Sequence, residues 1–379
     1  MIKNVMDQRL KETLSLGLTS KICIFLIIYL SANLLPFSKY FHDTNFLYPP
    51  DDGINLSSTF KTWDAQHYLF LAEKGYAPGQ ESNRFFPLFP LLIAAVKPIF
   101  LNNTLVAALF LSNLFFFIAL YYFYMFTKRT FDPEIAFTAS LFLMAFPTAF
   151  YTSLVYTESL FLMLTMIFFY CLYEKKLTPA LLAAFLLPLA RPQGILILLP
   201  YMAFMLYKNG AFVLKFSKEY LIGLAFIAGL LVYFMFMHYT TGSAFSGLAA
   251  ANIVKGRASL MNVTDPFGWF MRNFINVKYY IHYYIYSIID RLFFLAYVLL
   301  IYPVYKKMDK TMFTYMLVLG LVPALSGNLM SYTRLMFEVF PMFIVLALIF
   351  RKNHYYVTAP LIALQTFFLI MHCLNFWMS

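Results

Sequence analysis

Phe85-Phe86-Pro87-Leu88-Phe89-Pro90-Leu91-Leu92-Ile93-Ala94-Ala95-Val96-Lys97-Pro98-Ile99-Phe100 is the stretch on which the architecture turns. It is apolar enough to enter a membrane but shorter than the roughly 20 residues a crossing helix needs. Pro87, Pro90 and Pro98 interrupt helical hydrogen bonding, and Lys97 is expensive at mid-bilayer. Whether this segment crosses decides the side of the membrane on which every later loop lies.

That a membrane is the solvent follows from the rest of the chain. Of 379 residues, 62% are hydrophobic and 12% charged. A soluble globular chain carries about 25% charged residues, and a disordered one is far less apolar. Apolar runs fall at 22–38, 104–127, 135–150, 159–173, 177–190, 194–207, 220–239, 284–304, 311–326, 335–350 and 357–377. They are continuous and do not alternate at period two, which excludes an outer-membrane barrel. No repeat or linker divides them. The expectation is an all-α, polytopic membrane protein of about 11 transmembrane helices, a single domain over 1–379. The first run is read as a retained span, because no small-residue cleavage site accompanies it. Cys23, Cys171 and Cys373 all lie in apolar runs, without disulfide or metal spacing.

Charge supplies the orientation. If the amino end, with Lys3, Arg9, Lys11 and Lys21, is cytoplasmic and 85–100 does not cross, every compact basic cluster falls inside. Those clusters are Lys128/Arg129, Lys175/Lys176, Lys208/Lys215/Lys218, Lys306/Lys307/Lys310 and Arg351/Lys352. If 85–100 crosses, all of them fall outside, against the positive-inside rule. The segment is therefore placed as a kinked, embedded piece on the outer side. A first extracytoplasmic loop then covers 39–103, with interfacial helices, and a second long one covers 240–283. The net charge of +11 divides between two membrane faces and does not imply nucleic acid.

Most carboxylates fall outside, so the working face is extracytoplasmic. Asp64 opens an interfacial helix on which His67 and Tyr68 share its face at i+3 and i+4. The other reading of Asp64 is a helix cap, and Glu73 reads as a solvated residue near the far end. Glu81 and Arg84 precede the proline-broken wedge. Glu158, Arg191 with Gln193, and Arg334 with Glu338 stand at outer helix ends, where ionisable groups are functional candidates. Arg334 and Glu338 also read as a structural i, i+4 ion pair. Arginines beside carboxylates, on a chain of membrane spans, suit a lipid-phosphate substrate. The guanidinium fork pairs with phosphate oxygens, and a carboxylate can serve as general base.

Trp63-Asp64, His67, Ala72-Glu73, Gly75-Tyr76, Glu81 and Phe85-Phe86-Pro87-Leu88-Phe89-Pro90 together resemble the PIG-V family of mannosyltransferases, within the GT-C superfamily of multi-span glycosyltransferases. The likeness continues at Phe146-Pro147-Thr148-Ala149, Tyr156-Thr157-Glu158-Ser159, Ala190-Arg191-Pro192-Gln193-Gly194, and Arg334 with Phe340-Pro341. Pro192 and Gln193 depart from the family's Arg-Ser-Asn-Gly. The resemblance implies a GT-C fold and an inverting transfer of mannose from a polyprenyl- or dolichyl-phosphate donor to a lipid or glycan acceptor. Asp64 matches the acidic first-loop residue that serves as base. Arg191, Arg334 and Arg84 are expected to hold the donor phosphate, and His67, Tyr68, Glu81, Glu158 and Gln193 the acceptor or sugar. No cofactor or metal is expected, since no DxD pair is present. Membrane lipids and an accessory membrane subunit complete the expected partners. The expected location is a prokaryotic plasma membrane or the endoplasmic reticulum. A transporter or flippase of a lipid-linked sugar is the competing reading, disfavoured by acids gathered in one outer loop rather than at the midplane of repeated halves.

Sidedness is directly measurable. A cysteine replacing Asp51 or Lys61 is expected to react with an impermeant thiol reagent from outside, and one replacing Lys307 is not. Outside labelling at Lys307 overturns the orientation.

Overall fold

The structure, a computed structural model, describes residues 2–45, 48, 54–209, 217–253, 264–278, 287–325, 327 and 329–378. Asp51, Asp52, Lys215, Lys255 and Arg257 lie outside the described residues. Every regular element among the described residues is helical. In chain order the α-helices are α1 (Ile2–Leu34), α2 (Lys39–Asn45), α3 (Asp64–Lys74), α4 (Leu88–Val96), α5 (Thr104–Thr130), α6 (Pro133–Ala145), α7 (Glu158–Tyr173), α8 (Leu177–Ala190) and α9 (Leu198–Asn209). Then come α10 (Tyr220–Thr241), α11 (Ser246–Ile253), α12 (Pro266–Phe270), α13 (Ile288–Lys307), α14 (Lys310–Leu325), α15 (Tyr332–Met336), α16 (Pro341–Phe350) and α17 (Tyr355–Cys373). Each apolar run of the sequence holds one of these helices. Five helices, those over Gln8–Leu34, Thr104–Thr130, Tyr220–Thr241, Ile288–Lys307 and Tyr355–Cys373, are long and apolar enough to cross a membrane. This is an integral membrane protein.

Local chemistry sets the helix ends. Asp132 caps α6 by accepting from Ile135 N at 2.8 Å, with Pro133 in the first helical position. Asn103 caps α5 through Val106 N at 3.0 Å, and Ser287 caps α13 through Asp290 N at 3.0 Å. Gly242 closes α10 in the left-handed conformation at φ 79°.

Ion pairs tie the turns at one end of the bundle together. Arg9 reaches Glu134 at 2.8 Å, Arg351 reaches Asp132 at 3.1 Å, and Arg129 pairs with Glu174. Tyr173 donates to Asp309 at 2.5 Å. The turns carrying Arg129, Lys175, Lys307 and Arg351 thus share one end. Asp64, Glu158, Arg191 and Arg334 gather at the other. The 85–100 segment forms α4 and a short 3-10 turn over Lys97–Phe100. It leaves from beside Tyr68, against which the Phe85 ring packs at 4.9 Å, and arrives at Asn102–Thr104, which share a small pocket with Lys61 and Glu73 of the first loop. It begins and ends on the same side of the bundle.

One sequence expectation fails here. Lys21 is not a cytoplasmic charge ahead of the first span. It lies midway along α1, buried, with Nζ donating to Thr152 Oγ1 at 2.7 Å and Ser153 Oγ at 2.8 Å and standing 3.7 Å from the Phe116 ring. The helix begins well before the apolar run does, so a charge that flanks the run is inside the helix.

After α8 the chain must reverse to present Arg191. Arg191 is extended, and Gly194 N then donates to Arg191 O at 3.0 Å. A side-chain carbon on Gly194 would stand 2.0 Å from Leu187 O in the last turn of α8, so only glycine permits this approach. Gly194→Ala is expected to push α8 and Arg191 apart and to destabilise the fold by about 1–3 kcal/mol, the usual range for overpacking. Thermal unfolding in detergent measures the effect, and an unchanged midpoint refutes it.

Candidate active site

Asp64 is the first residue of α3, and the residue before it is strained. Trp63 has φ 54° and ψ −124°, a region in which any residue with a Cβ pays, on the order of 1–3 kcal/mol. Such a conformation persists only where surrounding packing holds it. Here the Trp63 ring meets Trp377 edge-on at 4.7 Å and Phe41 at 6.1 Å.

A line of alternating charges starts from Asp64. Its Oδ2 accepts from Arg334 Nη1 at 2.7 Å. Arg334 Nε donates to Glu158 Oε1 at 2.5 Å, and the guanidinium packs 4.7 Å from the Tyr156 ring and 4.9 Å from that of Tyr151. Glu158 Oε1 also accepts from Arg191 Nη1 at 3.3 Å, and Arg191 pairs in turn with Glu338. Glu158 is fully buried and Arg334 and Glu338 nearly so. Three carboxylates on two guanidiniums leave the line one negative charge in excess when all are ionised. The Arg334 end is fixed from behind by a second buried acid. Asp290 Oδ1 accepts from both Thr333 N and Thr333 Oγ1 at 2.8 Å.

The line borders a cleft of about 430 Å³. Its lining combines polar groups, Asp64, Tyr68, Arg84, Arg191, Gln193 and Arg334, with apolar ones, Phe85, Phe86, Leu196, Val322 and Pro323. Tyr68 OH stands 3.1 Å from Thr157 Oγ1. An amphipathic ligand suits this mixed lining.

Six of the nine residues expected to act as base or to hold donor or acceptor therefore meet in one cleft. The other three stand behind or beside it. Glu158 is held by the two arginines. Glu81 is an exposed partner of Arg84. His67 is buried, with Nδ1 2.8 Å from Ser82 Oγ and Nε2 3.3 Å from Arg84 Nη2. A guanidinium can only donate, so Nε2 accepts and Nδ1 carries the proton toward Ser82. Burial, and then the Arg84 charge, hold His67 down to about 4, so it is neutral at physiological pH. Glu73 sits apart at the far end of α3 and accepts from Tyr48 OH at 2.5 Å.

Arg334 and Glu338 do not pair as helical neighbours. The helix α15 ends at Met336, and the turn after it carries Glu338 to Arg191 instead. Sequence reasoning gave no role to Asp290, although a lone acid inside an apolar run is the signal that ionisable groups in membrane segments provide. Tyr151 and Tyr156, which flank Arg334, carried no signal beyond belonging to the outer stretch around Glu158.

No protein-family model matches the chain, and no curated protein matches it. Among solved structures, it is similar to the oligosaccharyltransferase of Archaeoglobus fulgidus in its apo form, at a TM-score of 0.51 and 13% identity, over 96% of this chain and 56% of that one. The same enzyme complexed with zinc and sulfate is similar at a TM-score of 0.49 and 15% identity, over 94% and 53%. The chain spans a little over half the length of that enzyme. The chain shares the fold of the membrane part of that oligosaccharyltransferase over nearly its whole length.

The buried line and the exposed Glu81 make opposite predictions. Removing one charge from a buried ionic network typically costs about 3–5 kcal/mol, so Glu158→Gln is expected to lower the thermal midpoint sharply. Glu81→Gln, which removes the exposed carboxylate of its pair, is expected to cost no more than about 1 kcal/mol. Thermal unfolding of the two variants decides, and equal losses refute the distinction.

Proposed function

We propose that the protein is a membrane glycosyltransferase that moves a sugar from a polyprenyl- or dolichyl-phosphate donor to a lipid-linked or glycan hydroxyl, with Asp64 as general base. The observation that carries this reading is one cleft, in a fold shared with an oligosaccharyltransferase, lined by Asp64 and three arginines together with apolar side chains. The apolar side chains accommodate isoprenoid and the arginines its phosphate. Mannose as the sugar rests on the PIG-V-like motifs alone, as does a glycosylphosphatidylinositol-like acceptor. The extracytoplasmic placement of the cleft rests on the positive-inside distribution of the basic turns.

The geometry suggests an order of events. Arg334 Nη1 occupies Asp64 Oδ2. A donor phosphate on the same guanidinium takes over that hydrogen bond and leaves the carboxylate oxygen open to the acceptor. Asp64 then accepts the acceptor hydroxyl proton. The acceptor oxygen forms a bond to the anomeric carbon as the bond from that carbon to the phosphate oxygen breaks on the opposite face. The products are an inverted glycoside and a polyprenyl phosphate, which leaves with its electron pair and needs no proton. Arg334 and Arg191 stabilise the phosphate as its charge grows, the kind of preplaced electrostatics often worth several kcal/mol. Glu158 and Glu338 keep the two guanidiniums in place. His67, through Arg84 Nη2, and Glu81 position Arg84 at the rim.

The test is transfer from radiolabelled polyprenyl-phosphate-mannose to a panel of lipid acceptors by purified protein. Asp64→Asn is expected to lower turnover by about 10²–10⁴-fold, the usual contribution of general-base catalysis, while Glu73→Gln stays near wild type. Arg334→Lys keeps charge but loses the planar fork, and is expected to reduce turnover at unchanged protein abundance. Transfer that survives in Asp64→Asn removes the base assignment. A wild-type protein that carries the labelled lipid across vesicle membranes without transfer makes the protein a transporter.

A further inference from the structure

The end of α17 and the residues after it pack on the first loop beside Asp64. Leu374 O accepts from Ser38 N at 2.9 Å, and Cys373 O accepts from Thr59 Oγ1 at 3.4 Å. His372 Nε2 lies 3.1 Å from Thr62 Oγ1, and Tyr156 OH donates to Thr62 O at 3.2 Å. Thr62 O also accepts from Ala65 N at 3.1 Å, across the Trp63–Asp64 step. The Trp377 ring then stands edge-on to Trp63 at an interplanar angle of 82°, and both rings are buried.

We propose that Trp377 is a positioning residue for Asp64: its ring, packed on Trp63, keeps that residue in its strained positive-φ conformation and so aims the first residue of α3 at the cleft. The role rests on Asp64 being the base. The argument is conformational. Trp63 has every local reason to relax to negative φ, and a change of that size at the residue before a helix swings the helix. Arg334 holds the Asp64 carboxylate from the cleft side, but it is the group a phosphate would engage. The tryptophan contact restrains the backbone from the opposite side and has no part in phosphate binding. His372 and Thr62 add a polar tie at the adjacent residue.

The experiment is a double-mutant cycle on full-length protein, with polyprenyl-phosphate-mannose as donor. Trp377→Ala is expected to lower kcat by about ten- to a hundredfold, the scale of a misaimed catalytic group, with donor KM little changed. Trp377→Phe, which keeps a ring against Trp63, is expected to restore most of the loss. In an Asp64→Asn background, Trp377→Ala is expected to cause no further loss, because a residue acting through Asp64 has nothing left to aim. If Trp377→Ala does not give folded protein, Trp377→Leu carries the same comparison. Wild-type kcat in the alanine or leucine variant overturns the proposal, and so does an equal loss in both backgrounds. If Asp64→Asn alone keeps wild-type turnover, the base assignment itself falls, and that outcome is separate from a failure of the tryptophan to matter.

Discussion

The buried line Asp64–Arg334–Glu158–Arg191–Glu338 is the constraint to which the rest of the structure answers. Charges within a membrane protein cannot lean on water, and a partnerless one there is far more costly than on a soluble surface. Each member therefore needs its neighbour, and the neighbours come from five separate places: the first loop, the start of α7, the end of α8, α15 and the turn after it. No local stretch of chain could satisfy these charges. They are satisfied only when the bundle closes, so the ionic line sets the relative positions of helices that hydrophobic burial alone would leave free to slide.

Much of this was legible in the sequence. Asp64 as a helix start followed from an acid after Trp63 and ahead of His67 and Tyr68 at helical spacing. The interruption of 85–100 into a short helix and a 3-10 turn followed from its three prolines. The parts that were not legible share a cause, which is that they depend on where a helix stops. Counting four residues from Arg334 to Glu338 assumes a helix that continues, and α15 does not. Counting Lys21 among the cytoplasmic charges assumes a helix that begins with its apolar run, and α1 begins long before. The strain at Trp63 goes with tertiary contacts of its ring to Trp377 and Phe41, and no spacing rule reaches it.

The cleft joins two kinds of surface that are ordinarily kept apart. Asp64, Tyr68, Gln193 and the arginines offer hydrogen-bonding groups suited to a sugar and a phosphate. Phe85, Phe86, Leu196 and Pro323 offer nothing but apolar contact. Phe85 and Phe86 open the proline-broken segment, so that segment supplies part of the apolar lining next to Arg84.

The ammonium of Lys21 has a consequence for how the protein is made. Its hydroxyl partners, Thr152 and Ser153, lie 131 and 132 residues further along the chain. When α1 first meets the insertion machinery, those partners have not been synthesised. A lysine at the centre of an inserting helix carries a penalty of about 2.5–3.5 kcal/mol on translocon scales. The first helix is thus an incomplete membrane segment when it emerges, and its final seat in the bilayer is completed only after the turn ahead of α7 arrives. That helix is thereby coupled to the middle of the chain.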